Sequence, residues 1–205
     1  MTLDLFNDRS TADDGQRSEG DFYETPSWMT RSLLTFHPAI RGSRVLECCA
    51  GRGAIAKVLR EEADCDVIEN DIDSRHVRPF RYDATAVDDW NVLATMGPFD
   101  YVVTNLPFNL AIDVLKVGLW VPRKAFITVL LKSFDEPTED RGAWLAQHPW
   151  TRKINQPRHS FRGTGSPSMA SDWFIWEKFR DASLRPCVVD HLAKTRTRPL
   201  FSEVL

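Results

Sequence analysis

Short runs with strand character recur along the middle of this chain, near 44–49, 65–70, 78–82, 99–104 and 124–131. Between them lie stretches with helical spacing, near 52–62 and 109–120. Ahead of the first strand, Pro26 to Phe36 reads as a helix, with proline near its start and Trp28, Met29, Leu33 and Leu34 on one side. A short helix near 138–148 and strands near 151–157 and 172–178 follow. Strands that alternate with helices in this way imply an α/β domain, a mostly parallel sheet covered by helices on both faces.

The two ends break the pattern. Residues 1–20 are polar, acidic and aperiodic and are expected to form a flexible arm. The domain itself is placed at 21–180, followed by a tail over 181–205, and no internal repeats occur. With 205 residues and 42% hydrophobic content the chain can bury a full core. No apolar run approaches the ~20 residues that cross a bilayer, and the acidic start does not resemble a signal peptide, so no membrane partner and a cytoplasmic location are expected. Cys48, Cys49, Cys65 and Cys187 lack paired metal-ligand spacing and read as free core thiols, with neither a metal site nor a disulfide frame.

Charge changes the picture in one respect. The net charge of −3 argues against nonspecific affinity for nucleic acid, yet Thr151 to Pro199 holds ten Lys and Arg residues against four acids. A phosphate-contacting surface and a solvated basic tail both fit that excess.

Candidate chemistry lies just after the strands. The run Phe99–Thr104 is followed by Asn105-Leu106-Pro107-Phe108. The asparagine oxygen and the Leu106 carbonyl can each accept a hydrogen bond from a planar NH2 group, Pro107 restricts Leu106 to extended angles, and Phe108 offers a stacking face. The same four residues would also make an ordinary strand-to-helix turn. Upstream, Arg44–Cys49 leads into Ala50-Gly51-Arg52-Gly53, a small-residue turn that lets backbone approach a ligand, with a helix N-terminus behind it that favours an anionic group. Asp71 lies about twenty residues past the glycines, where an acid can bind ribose hydroxyls. Asp83 could accept a hydrogen bond from an adenine amine. Singly, either acid could be a solvated surface charge, and their order along one α/β pattern gives them weight.

At these residues the chain resembles the class I S-adenosylmethionine-dependent methyltransferases, and among them small phage-like DNA adenine-N6 amino-methyltransferases. Asn105-Leu106-Pro107-Phe108 is similar to their catalytic motif, Leu46–Gly53 to their glycine-rich motif, and Phe22-Tyr23-Glu24-Thr25-Pro26 to the segment that touches the methionine end of the cofactor. Gln156–Phe161 and Asp172–Trp176 resemble further stretches of these proteins, so the likeness runs from about Phe22 to Phe179. It implies a Rossmann-like seven-stranded sheet with an antiparallel C-terminal strand pair, and S-adenosylmethionine as cofactor. It assigns cofactor contacts to Tyr23, Thr25, Pro26, Glu47, Cys49, Ala50, Gly51, Gly53, Asp71, Ile72, Asp83 and Asn105. Catalysis falls to Asn105, Leu106, Pro107 and Phe108, and substrate binding to Phe108, Arg158, Phe161 and Arg162.

Two departures qualify the likeness. Leu106 replaces a proline and is shared with ribosomal RNA adenine dimethyltransferases, which leaves RNA open beside DNA as the partner. Cys49 stands where many relatives have glycine. A protein-glutamine methyltransferase, a dinucleotide-dependent oxidoreductase and a catalytically silent partner are the competing readings. Target specificity would come from loops such as Ser160–Ser171, the tail, a second copy of the chain or a partner subunit. Trp90, Trp120, Trp144, Trp150, Trp173 and Trp176 read as core or interface packing, and Arg152 and Lys153, with Arg158 and Arg162, as phosphate contacts.

Overall fold

The computed structural model describes residues 24–73, 75, 78–135, 139–157, 170–178 and 188–191. In chain order these form α1 (Ser27–Phe36), β1 (Arg44–Glu47), α2 (Ala54–Ala63), β2 (Asp66–Glu69), α3 (Val87–Thr95), β3 (Tyr101–Asn105), α4 (Ala111–Gly118), β4 (Ala125–Leu131), α5 (Glu139–Gln147), β5 (Arg152–Asn155), β6 (Ser171–Glu177) and β7 (Val188–His191).

Period-two alternation along the strands decides the layering. Val45, Val103, Ile127, Val129, Trp173 and Ile175 face one core, where Met29 and Leu33 of α1 and Ile55 and Leu59 of α2 meet them. Their neighbours Leu46, Val102, Phe126, Leu130, Phe174 and Trp176 face the other, against Trp90 and Leu93 of α3 and Val114 and Leu115 of α4. Both faces are therefore dry, which is why the strands read as near-continuous apolar runs. Each such side chain stabilises the fold by roughly 1.5–3 kcal/mol on burial, and cutting Leu33 back to alanine should cost about 2–5 kcal/mol.

The sheet has the order β2-β1-β3-β4-β6-β5-β7. The first four strands are parallel, β6 runs antiparallel to β4 and to β5, and β7 lies parallel to β5. The expected mostly parallel sheet with an antiparallel pair near its end is thus present. Strand order reverses between β1 and β3, the topological switch point outside whose carboxyl ends open α/β sheets bind ligands.

Three local expectations are corrected. The strand expected at 78–82 is reduced to one bridge, Asn70 to Phe80. Pro79 removes a ladder donor there. The buried Asn70 side chain holds the segment instead, donating to the Tyr82 and Cys48 carbonyls at 2.9 and 3.0 Å and accepting from the Tyr82 N–H at 2.8 Å. Helix α3 was not foreseen, because its apolar residues do not share one face: Trp90 and Leu93 are buried while Val87 and Val92 are exposed. The seventh strand comes instead from β7, inside the stretch read as tail. Of the tryptophans read as packing, Trp120 is 52% exposed. Cys48, Cys49 and Cys65 are free thiols. Among the described residues no helix is long and apolar enough to cross a membrane, and no cluster of His, Cys, Asp and Glu could hold a metal.

Candidate active site

β1 and β3 end side by side at Glu47 and Asn105, and the turns that follow them open onto a cavity of about 410 Å³. Glu47, Cys49, Ala50 and Gly51 form one wall, Asp71, Ile72 and Asp83 continue it, and Asn105, Leu106, Pro107 and Phe108 with Thr25 form the opposite side. Pro26 and Gly53 are not among the lining residues; they stand behind others that are. Tyr23, Arg158, Phe161 and Arg162 lie outside the described residues, as does His159.

The glycine turn is held from two sides. Asp71 accepts the Gly51 N–H at 2.6 Å through one carboxylate oxygen and the Asp73 N–H at 2.8 Å through the other. Arg78 donates to the Gly51 carbonyl at 2.9 Å and pairs with Glu69 at 2.9 Å, while Arg60 holds Glu69 from its other side at 2.5 Å. Gly53 caps α2 in the left-handed region at φ 79°, and a Cβ there would lie 2.7 Å from a Glu69 oxygen. This glycine makes room for an ion pair rather than for a ligand.

Glu47 is almost fully buried, and its carboxylate accepts the Ala56 N–H at 2.8 Å in the first turn of α2. Burial pushes its carboxyl well above the ordinary range, nearby Glu69 adds to the shift, and the Ala56 bond opposes it. The thiol of Cys49 is raised by its hydrogen bond to Cys48 and then by burial, so it contributes a neutral wall. Asp83 takes both the N–H and the hydroxyl of Thr85 on one oxygen, each at 2.8 Å, and its own N–H goes to Asp89. That local turn places its carboxyl at the start of α3, beside the cavity.

On the other side, the Asn105 amide nitrogen donates to the Thr25 hydroxyl at 3.0 Å, and the Leu106 N–H reaches the buried Thr128 hydroxyl at 3.4 Å. Phe108 begins a one-turn 3-10 helix ahead of α4 and is 42% exposed, so a ring face remains open. Arg141 of α5 lies between aromatic rings, 5.9 Å from the centre of Phe108 and 5.4 Å from that of Phe134. Sequence reading missed Asn70, Arg78, Thr128 and Arg141. Asn70 alone had a local signal, an amide directly after a strand, at the position where ligand-facing and turn-holding groups collect. One expected phosphate contact is corrected: Lys153 lies 3.5 Å from the fully buried Asp172, with only 12% of its own side chain exposed.

This arrangement is that of a Rossmann-like fold of the methyltransferase type. No protein-family model and no curated protein sequence matches the chain. Solved structures match it in fold. The type I restriction-modification system methyltransferase subunit from Streptococcus thermophilus superposes with a TM-score of 0.59 at 16% identity, over 78% of this chain and 45% of that one. A Listeria monocytogenes protein provisionally assigned as a class I S-adenosylmethionine-dependent methyltransferase gives 0.60 at 13%, over 86% and 68%. A Pyrococcus horikoshii protein provisionally assigned as an RNA methyltransferase gives 0.54 at 15%, over 76% and 86%. The chain spans less than half the length of the Streptococcus subunit, and at these identities the likeness is one of fold.

Proposed function

We propose that this protein is an S-adenosylmethionine-dependent methyltransferase acting on the exocyclic amine of adenine in DNA. One observation carries the reading: the glycine turn, two acids after it and Asn105-Leu106-Pro107-Phe108 line a single cavity at the switch point of the sheet. The residues fit the cofactor. A carboxylate has about four acceptor sites, so Asp71 can hold the turn through two backbone N–H groups and still accept from ribose hydroxyls. Asp83 would accept from the adenine amine, and the N-terminus of α2 behind the turn would favour the anionic end. When bound, S-adenosylmethionine supplies a methyl group made electrophilic by its sulfonium.

The chain's own residues supply orientation. The amine of adenine is a weak nucleophile because its lone pair is delocalised into the ring. Hydrogen bonds accepted by the Asn105 oxygen and the Leu106 carbonyl favour a pyramidal nitrogen and strengthen toward the transition state, which is the condition for catalysis. Phe108 supports the base from one face. A base inside a duplex cannot reach this depth, so the substrate is flipped out or already single-stranded.

The fold shared with a restriction-modification methyltransferase subunit supports DNA. Leu106, and the fold shared with a protein assigned to RNA, support RNA as the second reading. The test is transfer of labelled methyl to DNA, RNA and protein, followed by nucleoside analysis. N6-methyladenine in DNA is expected. Label confined to RNA or protein would reject the substrate, and failure to bind S-adenosylhomocysteine would reject the whole reading.

A further inference from the structure

We propose that Ser171 is a specificity-determining residue whose hydroxyl donates to a ring nitrogen of the target base. This inference rests on the methyltransferase reading above. Ser171 is 1% exposed, yet it is one of the residues lining the cavity. Among the described residues its hydroxyl has no hydrogen-bond partner. A buried hydroxyl left unpaired is costly, and such groups are few in native structures. The hydroxyls of Thr30 and Thr104 are buried without a partner as well, but neither residue lines the cavity. Of the three, only Ser171 stands where an entering ligand can complete it.

Sheet topology puts that residue at the end of the cavity away from the cofactor. The lining passes from Asp71 after β2 and Gly51 after β1, through Asn105 at the end of β3, to Leu131 at the end of β4 and Ser171 at the start of β6. Strand alternation gives the direction. Val103 and Trp173 face the same core, and Asn105 and Ser171 each lie two positions from them toward the carboxyl ends of the parallel strands, so both side chains leave the sheet on one side. Asn105 pairs with Val129, and Leu131 with Ser171, which separates the two by about 10 Å across the sheet and about 7 Å along it. The two side chains and a planar base between them, with a hydrogen bond at each end, fill that span. Chemistry then sets which group donates. The Asn105 oxygen and the Leu106 carbonyl take both N–H groups of the amine, so the base has only ring nitrogens left to pair, and these accept. Val129, Leu130 and Leu131 beside Ser171 carry no side-chain donor. The serine hydroxyl does, and it turns among staggered rotamers to present it.

The experiment uses the full chain and a DNA oligonucleotide that it methylates, with the target adenine replaced in turn by 1-deaza-, 3-deaza- and 7-deazaadenine, each lacking one ring acceptor. On adenine, Ser171→Ala should lower kcat/KM about tenfold while affinity for S-adenosylhomocysteine stays within about twofold. On the analogue without the contacted nitrogen, the ratio of wild type to variant should fall to about one, and on the other two it should stay near about ten. Taking the ratio cancels each analogue's own change in reactivity. Melting gives a second readout. Ser171→Ala removes an unpaired buried hydroxyl, so its Tm should equal or exceed that of the wild type, whereas a serine with a purely structural role would lower it. A ratio of one on adenine, a ratio that no analogue changes, a matching loss of cofactor affinity or a lowered Tm would each overturn the inference. These outcomes leave the methyltransferase reading standing. A wild-type chain that methylates no nucleic acid would reject that reading, and this inference with it.

Discussion

Replacing Gly53 by alanine should damage both stability and cofactor binding, although this glycine does not line the cavity. Two effects add. At φ 79° the residue is in the left-handed region, which costs a side chain about 1–2 kcal/mol. The new methyl would also stand 2.7 Å from a Glu69 oxygen and 2.9 Å from an Arg78 nitrogen. Glu69 is buried and gripped by Arg60 at 2.5 Å and Arg78 at 2.9 Å, so relief requires opening a braced ion pair, an overpacking cost of about 1–3 kcal/mol. The sum is about 2–5 kcal/mol, or a fall in Tm of about 4–20 °C for a chain of this size. Gly42 provides the control, since it has φ 69° and nothing within 4 Å of its added Cβ. Gly42→Ala should therefore show the backbone effect alone, about 2–8 °C. Calorimetric melts of the two variants separate the contributions, and a Gly53→Ala protein no less stable than Gly42→Ala would refute the steric account. Arg78 also carries the Gly51 carbonyl at 2.9 Å, so displacing it should weaken S-adenosylhomocysteine binding in Gly53→Ala and leave Gly42→Ala unchanged.

Four further outcomes are expected. Asn105→Ala should lower turnover roughly a hundredfold with little change in cofactor affinity, and an active variant would sink its role on the amine. Phe108→Ala should weaken substrate use by about 1–3 kcal/mol while Phe108→Trp keeps much of it, as steady-state kinetics would show. The third concerns pH. Glu47 is raised in the folded state, so the native chain retains a proton that the unfolded chain releases, and stability is lost as pH climbs from the ordinary carboxylate range to the folded value. Glu47→Gln keeps an acceptor for the Ala56 N–H and should gain in relative stability over that window, differing little below about pH 4; parallel melting profiles would count against the buried acid. Last, Lys153→Met should destabilise by about 3–5 kcal/mol, because it leaves Asp172 buried without that cation, yet leave the salt dependence of nucleic-acid binding unchanged. A slope reduced by about 0.9 would instead mark a phosphate contact.

Most of the sheet was legible because its signal is local. A strand with both faces dry reads as a mostly apolar run, and the centres of β1, β3, β4 and β6 do so at Val45–Leu46, Tyr101–Val103, Ala125–Ile127 and Trp173–Trp176. What could not be read depends on what a short segment meets. Phe80 sits in the right place for a strand, but Pro79 withdraws a donor and Asn70 substitutes a side-chain clamp for a ladder. β7 has four residues and is defined by its register with β5, Arg152 to Val188 through Asn155 to His191, information that no local pattern contains.

The candidate site divides along the same line. Residues that line the cavity follow strands directly, so the strand pattern and the motif locate them together: Gly51 after β1, Asp71 after β2, Asn105 at the end of β3. The groups that hold them come from elsewhere in the chain: Arg78 reaches Gly51 across 27 residues, Asn70 reaches Tyr82 across 12, and Thr25 reaches Asn105 across 80. Charge misleads in the same way. Lys153 looks like a phosphate contact in a basic stretch, but β5 pairs with β6 and brings it to Asp172, where the cation is needed to offset a buried carboxylate. A side chain's type limits the chemistry it can perform, and its long-range partner decides whether that chemistry faces a ligand or the protein. Gly53 shows the distinction within one motif, because two residues from Gly51 it serves the Glu69–Arg78 pair and not the cavity.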